Sequence, residues 1–319
     1  KYMSFISYAQ NFEDVMLWRA LKHIQNGFYI DIGAQDPVND SVSKAFYDHG
    51  WKGLLIEPVP EYAEILRKAR PDEIVLEAAL SDNESLIDLY IIKDTGLSSA
   101  MENYKNNANV TQQIQVQALT LKSVSASLVG KDVHWLKIDV EGFEKKVLKG
   151  WDSQILRPWV IVIESTNPNS PKTNYLDWDP IITSANYQFA YFDGLNRFYV
   201  ANEHAELVAA FGVPPNIFDN FTVTANSQLS RHLNKKIKEI EVDRMARWKQ
   251  IKTLTKMIKE SEVDWAARGE QIKMLTKMVR ESEADRAARG EQIEILTKMV
   301  RKSEADRAAR GEQIKIPDE

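Results

Sequence analysis

The stretch that decides the fold reads Phe28-Tyr29-Ile30-Asp31-Ile32-Gly33-Ala34-Gln35-Asp36-Pro37. An apolar, partly β-branched run ends in a short turn that contains an acid and a glycine, and a helical pattern follows. This order predicts the first strand, turn and helix of a nucleotide-binding sheet. In such a sheet the ligand lies beyond the carboxyl ends of the strands, where Gly33 and Ala34 would let the backbone approach it closely.

The turn after Asp31 lacks the three-glycine dinucleotide fingerprint and no Walker lysine follows it, which disfavours NAD and ATP.

Three further apolar segments also end in an acid. An acid after the second strand is where a ribose diol is hydrogen-bonded in such folds, because one carboxylate accepts from both hydroxyls. The three segments are residues 53–57, ending at Glu57, residues 133–139, ending at Asp139, and residues 160–164, ending at Glu164.

The remaining pattern places helices and strands around these segments. An amphipathic helix is expected over residues 11–23, and its acids Glu13 and Asp14 are interpreted as solvated residues of a first helical turn. Other predicted elements are a helix over residues 62–69, a third strand over 74–80, two strands over 87–92 and 114–119 around a polar loop with Gly96-Leu97-Ser98-Ser99, and a hairpin over 187–192 and 197–200.

The densest group of acids follows the fourth strand, in Asp139-Val140-Glu141-Gly142-Phe143-Glu144. Carboxylates this close repel one another, so a cation or a hydrogen-bonding ligand is expected beside them, unless Glu141 and Glu144 only favour a helix N-terminus. The histidines show no metal-ligand spacing and the chain has no cysteine, so no metal ligand is assigned. A divalent cation held by Asp139, Glu141 and Glu164 is a less favoured alternative.

Composition limits the class of protein. The 319 residues carry a net charge of -5 at pH 7, which offers no basic footprint for nucleic acid. No apolar stretch approaches the roughly 20 residues needed to cross a bilayer, and no signal-peptide pattern opens the sequence. Without cysteine, disulfides and cysteine-ligated zinc are excluded. The expected location is the cytoplasm, at the inner face of the cytoplasmic membrane only through partners.

Five segments occur in a fixed order: Ile30-Asp31-Ile32-Gly33-Ala34, Ile56-Glu57-Pro58, Ala78-Ala79-Leu80-Ser81-Asp82, Gly96-Leu97-Ser98-Ser99 and Leu136-Lys137-Ile138-Asp139-Val140-Glu141-Gly142-Phe143-Glu144. With the lead-in Tyr8-Ala9-Gln10-Asn11-Phe12-Glu13-Asp14-Val15, they resemble the FkbM family of S-adenosylmethionine-dependent methyltransferases over about residues 4–221. The resemblance implies a doubly wound, seven-stranded, Rossmann-like α/β domain. It also implies transfer of a methyl group to oxygen, often on a sugar.

The same resemblance implies roles for individual residues. A carboxylate-lined edge also suits the positive charge of a methyl sulfonium, whereas phosphates prefer amides and cations. The turn Gln35-Asp36-Pro37 departs from the family, which commonly has a second glycine there. The implied cofactor contacts are Asp31, Gly33 and Ala34 at the methionine end, Asp36 beside them, Glu57 at the ribose, Ala79 and Leu80 near adenine, and Asp139 near the methionine amino group.

Two acids are candidates for the catalytic base. A sugar hydroxyl is a poor nucleophile at neutral pH, so a base within hydrogen-bond reach would help. Glu141 is the first candidate and Asp139 the second. The cofactor sulfur, the methyl carbon and the acceptor oxygen must also lie nearly in line, so positioning is the largest demand on the site.

The composition changes near residue 227, which predicts a methyltransferase domain over residues 1–226 and a tail over residues 227–316. From Gln250 the tail repeats with a step of 21 residues, so that residues 271–279 return as residues 292–300. Because 21 residues are three heptads, every repeat turns the same face the same way. This periodicity predicts a long parallel coiled coil.

With Ile251 at heptad position a, each repeat has an apolar half and a polar half. Arg286 and Arg289 occupy positions a and d of one polar half, and Asp285 occupies g. Such layers lower stability but fix register and strand number. A parallel homo-oligomer is therefore expected, with a trimer slightly favoured over a dimer. At about 1.5 Å per residue, roughly 85 helical residues would reach some 130 Å, a length that suggests a spacing role.

The leading hypothesis is an O-methyltransferase that methylates a sugar hydroxyl at the non-reducing end of a bacterial surface polysaccharide of the O-antigen type. Methylation removes the nucleophile for the next glycosyl transfer and would terminate chain growth. The tail would be an oligomeriser and a length ruler that spaces this activity from a glycosyltransferase partner. Two alternatives remain: a small-molecule O-methyltransferase oligomerised by its tail, and a non-catalytic oligomeric scaffold.

Overall fold

The structure is a computed structural model that describes residues 5–92, 98–99, 110–168, 170–261 and 265–313. These residues form two compact units, with Val223 at the end of the first and Thr224 at the start of the second. Gly96 and Leu97 of the predicted polar loop lie outside the described residues. Within the described ranges, no helix combines the length and the apolar character that crossing a membrane requires.

Strands and helices alternate through the first unit, and two long helices form the second. The strands are β1 (Phe5–Ser7), β2 (Phe28–Ile32), β3 (Lys52–Ile56), β4 (Ile74–Leu76), β5 (Ala79–Ser81), β6 (Ser85–Ile92), β7 (Ser98–Ser99), β8 (Val110–Thr120), β9 (Trp135–Ile138), β10 (Val160–Glu164), β11 (Tyr187–Phe192), β12 (Asn196–Ala201) and β13 (Phe221–Val223). The helices are α1 (Glu13–Leu21), α2 (Val42–Asp48), α3 (Pro60–Ala69), α4 (Leu121–Ser125), α5 (Glu144–Lys149), α6 (Asp179–Ser184), α7 (Gln228–Ser261) and α8 (Trp265–Gln313).

Seven strands form the main sheet in the order β11-β12-β10-β9-β2-β3-β4. The strands from β10 to β4 run parallel, and β12 and β11 add antiparallel pairs at one edge. From β2 the chain first moves outward to β3 and β4, and it later returns to the other side of β2 with β9 and β10. The strand order therefore reverses between β2 and β9, and a crevice opens at such a point in doubly wound sheets. The predicted fold is confirmed.

The central strands are mostly apolar because both faces of the sheet are buried. Alternate residues of β2 belong to different cores: Ile30 and Ile32 pack on one face, and Tyr29 packs on the other. Helices α4, α5 and α6 cover the first face, while α1, α2 and α3 cover the second. This arrangement explains why the strands near the ligand edge read as continuous hydrophobic runs rather than as alternating ones.

One predicted strand is wrong. The apolar run over residues 74–80 is not a single third strand, because β4 joins the main sheet and β5 joins a separate sheet of order β5-β8-β6-β7. Ala79 pairs with Ala118 of β8, in parallel. The chain changes sheets between Leu76 and Ala79, where the exposed Glu77 interrupts the apolar residues.

The tail is helical, as predicted, but the single continuous helix expected from the repeat is not what the structure contains. Helix α7 ends at Ser261 and α8 begins at Trp265. The two helices pack antiparallel, because Arg247 forms an ion pair with Asp285 while Arg289 forms one with Asp243. The acidic partners predicted for the arginines at core positions are therefore supplied by the opposite helix of the same chain.

A physical reason for this hairpin lies in the repeat itself. A sequence that recurs every three heptads carries complementary faces in successive segments, and a tethered segment meets its partner at high effective concentration. The guanidinium of Arg286 lies 5.3 Å from the ring centre of Trp248, and Ile251 is buried. The predicted heptad face is thus used within one chain, and association of several chains stays a prediction.

Candidate functional site

The turn after β2 is held tightly at the point where the strand order reverses. Gly33 has a φ of 82°, and a Cβ atom there would lie 1.9 Å from the carbonyl oxygen of Asp139. The N–H groups of Gly33 and Ala34 both point to the carbonyl of Ile56, at 2.9 and 3.3 Å, and the N–H of Asp139 donates to the carbonyl of Ile32 over 3.1 Å. Only glycine fits this turn, because its backbone packs directly against that of Asp139, and the predicted approach to a ligand stays a prediction.

The four predicted strand-end acids lie along one edge on four adjacent strands. Asp31 is in β2, Glu57 follows β3, Asp139 follows β9, and Glu164 ends β10. Asp31, Glu57 and Glu164 are buried, whereas Asp139 is partly exposed. Several buried carboxylates at one edge are unfavourable without hydrogen bonds or cations. The partners of each acid therefore indicate what this edge can bind.

Glu57 is fixed by two backbone donors. Its Oε2 accepts from the N–H of Gln35 over 2.9 Å, and its Oε1 accepts from the N–H of Val59 over 2.8 Å. Burial raises the pKa of Glu57 to about 7, although these hydrogen bonds oppose the shift. Each oxygen keeps a second lone pair, so the carboxylate can still accept from a hydroxyl. This geometry is compatible with the predicted ribose contact.

The side chain of Asp36 stabilises the loop that follows the β2 turn. Its Oδ1 accepts from the N–H groups of Val38 and Asn39 over 2.8 and 2.7 Å, which closes an Asx-type turn. A side chain that the sequence did not single out supports the next part of this loop. Buried Arg70 donates to the carbonyl of Pro37 over 2.7 Å, and also to the hydroxyls of Ser41 and Ser43. The loop geometry accounts for Asp36, and its predicted contact with a cofactor stays a prediction.

The predicted adenine contacts occupy the smaller sheet. Ala79 and Leu80 both belong to β5. The side chain of Leu80 is packed in the main core with Leu121, whereas Ala79 packs with Val59, two residues after Glu57. Ala79 therefore lies in the same apolar cluster as the backbone that holds Glu57. The buried Leu80 side chain leaves only its backbone as a contact for a ligand.

A lysine is the internal cation of the acid cluster. The ammonium of Lys137 donates to Oδ2 of Asp139 over 2.6 Å, and the lysine is buried. Burial alone would lower its pKa, but Asp139 and Asp31 together raise the pKa above the ordinary value. Lys137 therefore stays charged and offsets part of the negative charge. The sequence predicted a cation or a hydrogen-bonding ligand beside these acids, and the ammonium of Lys137 is one such cation.

Glu141 lies at the mouth of this cluster on a strained turn. Its φ of 51° is in the left-handed region, and Gly142 follows with a φ of 98°. Glu144 is buried and accepts from the N–H groups of Val140 and Gly142, at 3.3 and 3.0 Å, which stabilises the turn. Burial, followed by repulsion from Asp139 and Glu144, raises the pKa of Glu141 to about 8. A carboxyl of this pKa is suited to exchange a proton near neutral pH.

Glu164 is the least satisfied of the acids. It is 8% exposed, and its buried Oε2 has no hydrogen-bond partner within the described ranges. Its Oε1 is 3.5 Å from the hydroxyl of Thr166, which is a weak contact. Burial, and then repulsion from Asp139 and Glu141, raises the pKa of Glu164. One oxygen each from Glu164, Asp139 and Glu141 can be chosen so that all lie within 4.8 Å of one another.

The lead-in segment closes the other side of this edge, and the interpretation of its acids as solvated is wrong. Glu13 and Asp14 are 2% and 0% exposed. Oε1 of Glu13 accepts from the side-chain amide of Asn196 over 2.7 Å, and its Oε2 accepts from the N–H of Asn11 over 2.9 Å. Asn196 pairs with Glu164 in the sheet register. Glu13 is buried against Asn196 of the β11–β12 hairpin, a contact too distant in sequence to predict.

Asp14 organises the start of the same helix. Its carboxylate accepts from the hydroxyl of Ser7 and from the N–H groups of Tyr8, Ala9 and Val15. Burial raises its pKa to about 6 despite these donors. Asp14 thus ties the first strand to α1, and it contributes to the frame of the site rather than to its surface.

The doubly wound sheet, its strand-order reversal and its carboxylate-lined edge define the class as a methyltransferase that uses S-adenosylmethionine. The edge fits that cofactor, because its carboxylates suit a sulfonium cation and Glu57, held by two backbone N–H groups, keeps lone pairs for ribose hydroxyls. Residues 31–189 match the family model of the methyltransferase FkbM domain. Through this domain the chain belongs to the FkbM methyltransferases, as its sequence resemblance implied.

Two solved structures share a remote likeness with this chain. A TehB-like S-adenosylmethionine-dependent methyltransferase from Corynebacterium glutamicum is 8% identical, with a TM-score of 0.33 over 59% of this chain and 86% of that chain. The M. capricolum TrmK in complex with S-adenosylhomocysteine is 11% identical, with a TM-score of 0.27 over 83% of this chain and 96% of that chain. No curated protein resembles this sequence closely enough to count as a match.

Proposed function

We propose that this methyltransferase transfers the methyl group to a sugar hydroxyl, at the non-reducing end of a bacterial surface polysaccharide of the O-antigen type. The observation that supports the proposal is the row of acids at the ends of the adjacent strands β3, β2, β9 and β10, with Glu141 on the left-handed turn after β9. The resemblance to the FkbM family supports oxygen on a sugar as the acceptor. We propose a cytoplasmic location, where the cofactor is made, and contact with the inner face of the membrane through partners.

The proposed cofactor contacts follow the geometry of the edge. Asp31 and Asp139 would lie beside the methionine part, Glu57 would accept from the ribose, and the Gly33 turn would admit the cofactor between them. S-adenosylmethionine supplies a methyl group on a sulfonium, and the electron pair of the broken carbon–sulfur bond stays on sulfur. The carboxylates on β2 and β9 lower the energy of that positive charge in a crevice with little water.

Glu141 is proposed to take the proton of the acceptor hydroxyl as its oxygen forms the bond to the methyl carbon. Its strained backbone holds the carboxyl at the open end of the cluster, where Glu144 fixes the turn. With a pKa of about 8 the group is partly ionised near neutral pH and holds a received proton well. Asp139 is the second candidate, but one of its oxygens is already bound by Lys137.

The tail is proposed to assemble the chain into a parallel oligomer, with three strands slightly favoured, and to set the distance to a glycosyltransferase. Capping the terminal hydroxyl would end chain growth, and the length of the tail would influence where this happens. The 21-residue repeat and its heptad face support this part of the proposal. The antiparallel hairpin of the single chain is the arrangement that assembly would have to replace.

The experiment that tests the proposed reaction uses the full chain and cofactor labelled on the methyl group. We expect label on oligosaccharides with a free non-reducing end, and none on oligosaccharides whose terminal hydroxyl is already methylated. Label on monosaccharides or other small molecules alone would favour a small-molecule methyltransferase. Cofactor binding without transfer to any acceptor would favour a scaffold.

A second experiment tests the ruler separately from the chemistry. Deleting residues 271–291 removes one repeat and keeps the heptad register. We expect purified variant and wild type to methylate short acceptors at equal rates, while the polysaccharide made in cells changes in length. An unchanged length distribution would reject the ruler and leave the methyltransferase reaction in place.

A further inference from the structure

Three carboxylates from different segments converge beside the proposed acceptor position. Asp139 follows β9, Glu141 lies on the next turn, and Glu164 ends the neighbouring strand β10. One oxygen from each can be chosen so that the three lie within 4.8 Å of one another. Calcium binds oxygen ligands at about 2.3–2.6 Å, so two ligands on opposite sides of the ion are about 5 Å apart. One ion can therefore reach all three carboxylates with small side-chain movements.

The second observation is the unpartnered oxygen of Glu164. This side chain is more than nine-tenths buried, and its Oε2 has no hydrogen-bond partner among the described residues. Thr166 makes only a 3.5 Å contact with the other oxygen. A buried carboxylate normally has a hydrogen bond or a cation at each oxygen. The orphan oxygen belongs to the residue whose carboxylate converges with those of Asp139 and Glu141, so it identifies the place of a missing partner.

The charges indicate the kind of partner. Lys137 donates to Asp139 over 2.6 Å and offsets one of the three negative charges. A divalent cation would offset the other two. Oxygen-only ligand sets favour hard cations such as Mg²⁺, Mn²⁺ and Ca²⁺, and they disfavour the softer metals that prefer nitrogen or sulfur.

We propose that Asp139, Glu141 and Glu164 bind one divalent metal ion, which in turn binds the acceptor oxygen. This inference rests on the proposed methyl transfer to oxygen, because the ion would hold that oxygen and stabilise its developing negative charge. Each carboxylate offers one oxygen to the ion, and the carboxylate of Glu141 also takes the hydroxyl proton. The oxygen–carbon bond forms as the carbon–sulfur bond breaks, with its electron pair staying on sulfur.

Binding of the ion would also explain why hydrogen bonds hold the side chains of this cluster in place. Glu144 fixes the turn that carries Glu141, and Lys137 holds one oxygen of Asp139. These contacts orient two ligands before the ion arrives, which is how supporting hydrogen bonds tune metal sites. Lys137 and Glu144 are positioning residues in this account, because neither offers an oxygen to the ion.

The test measures Mn²⁺ binding to the full-length chain by electron paramagnetic resonance, without cofactor or acceptor. We expect one site per chain in the wild type. Glu164→Gln keeps the shape of the side chain but removes the anionic ligand, and we expect it to weaken binding by about tenfold or more. The matched control is Glu203→Gln, which changes a surface acid that pairs with Arg157 and should bind Mn²⁺ as the wild type does.

Folding is checked by thermal unfolding in chelator, where glutamine imitates a protonated Glu164 and the variant should melt no lower than the wild type. Added Mn²⁺ should raise the melting temperature of the wild type and leave that of Glu164→Gln unchanged. Equal Mn²⁺ affinity in both proteins, or no binding to the wild type, would overturn the proposal. Methyl transfer that persists in chelator would overturn the role of the ion while keeping the methyltransferase. Mn²⁺ bound without any transfer would keep the site and reject the proposed reaction.

Discussion

Replacing Gly33 with alanine should destabilise the site by more than the backbone strain of an alanine at positive φ accounts for. The new Cβ would lie 1.9 Å from the carbonyl oxygen of Asp139, whereas real Cβ atoms essentially never come within 3.0 Å of such an atom. The turn and the start of the β9 loop must therefore separate by about 1 Å. That movement stretches the 3.1 Å hydrogen bond from Asp139 to Ile32 and displaces the Asp139 carboxylate.

The expected loss in free energy of unfolding is obtained by comparing Gly33 with a second glycine. Gly50 has a φ of 83° but nothing within 4 Å of the position of a Cβ, so Gly50→Ala carries the backbone strain alone, about 1–2 kcal/mol. Gly33→Ala carries the same strain plus the clash and a weakened buried hydrogen bond, for a total of about 3–5 kcal/mol. The difference between the two variants isolates the close packing of the turn.

The assay is urea unfolding of both variants together with calorimetry of S-adenosylmethionine binding. We expect Gly50→Ala to bind the cofactor as the wild type does, and Gly33→Ala to lose both stability and binding. Equal losses of stability in the two variants would refute the reasoning, because the turn would then have room for a side chain.

Three other predictions address the base, a buried acid and the frame of the site. Glu141→Gln should lower kcat by about 100-fold or more and remove the rise of activity towards pH 8, as measured by methyl transfer from pH 6 to 9. Burial and Asp193 raise the pKa of Glu13 to about 8, so the folded state holds its proton and loses stability as the pH rises from about 4.5 to 8. Glu13→Gln does not titrate, and its stability relative to the wild type should improve over that window; a constant difference would contradict this. Arg19→Met removes a 2.6 Å ion pair with Asp219 and should reduce the free energy of unfolding by about 3 kcal/mol. An unchanged free energy of unfolding would contradict this and indicate that the pair is solvated.

The sequence predicted the ligand edge well because local patterns encode it. A strand that is buried on both faces appears as a nearly continuous apolar run, as in β2, which lies at the start of the quoted stretch of residues 28–37. Parallel strands end at the same edge, so acids after successive strands are neighbours whatever their separation in sequence. Glu57 and Asp139 illustrate this, since each follows an apolar run and they lie on opposite sides of β2.

Features that depend on distant contacts were not predictable in the same way. Glu13 resembles a solvated acid at a helix start, and only Asn196, 183 positions along the chain, shows that it is buried. Between β4 and β5 the exposed Glu77 interrupts the apolar residues, but one acid does not show that the two stretches join different sheets. Arg70 is a further example, because neither its partner Ser41, just before α2, nor its partner Ser43, within α2, shows in sequence that the fold brings Arg70 to it.

The tail shows a different limit of prediction from sequence. The 21-residue period determines which face is apolar, and the structure uses that face, but a period does not determine the direction of the partner helix. Asp243 and Arg289 satisfy in an antiparallel hairpin the charge pairing that a parallel assembly would satisfy between chains. The free energies of intrachain and interchain pairing, rather than the pattern, decide between them.

The central claim is that acids at the ends of β2, β3 and β9 form the pocket of a cationic cofactor. Calorimetry of S-adenosylmethionine binding to the full chain tests it most directly, with Asp31→Asn as the variant and the exposed Asp88→Asn as the matched control. We predict binding to the wild type and the control, and an affinity at least about tenfold lower, or 1.4 kcal/mol, for Asp31→Asn. No binding to the wild type, or equal affinity for Asp31→Asn, would contradict the account.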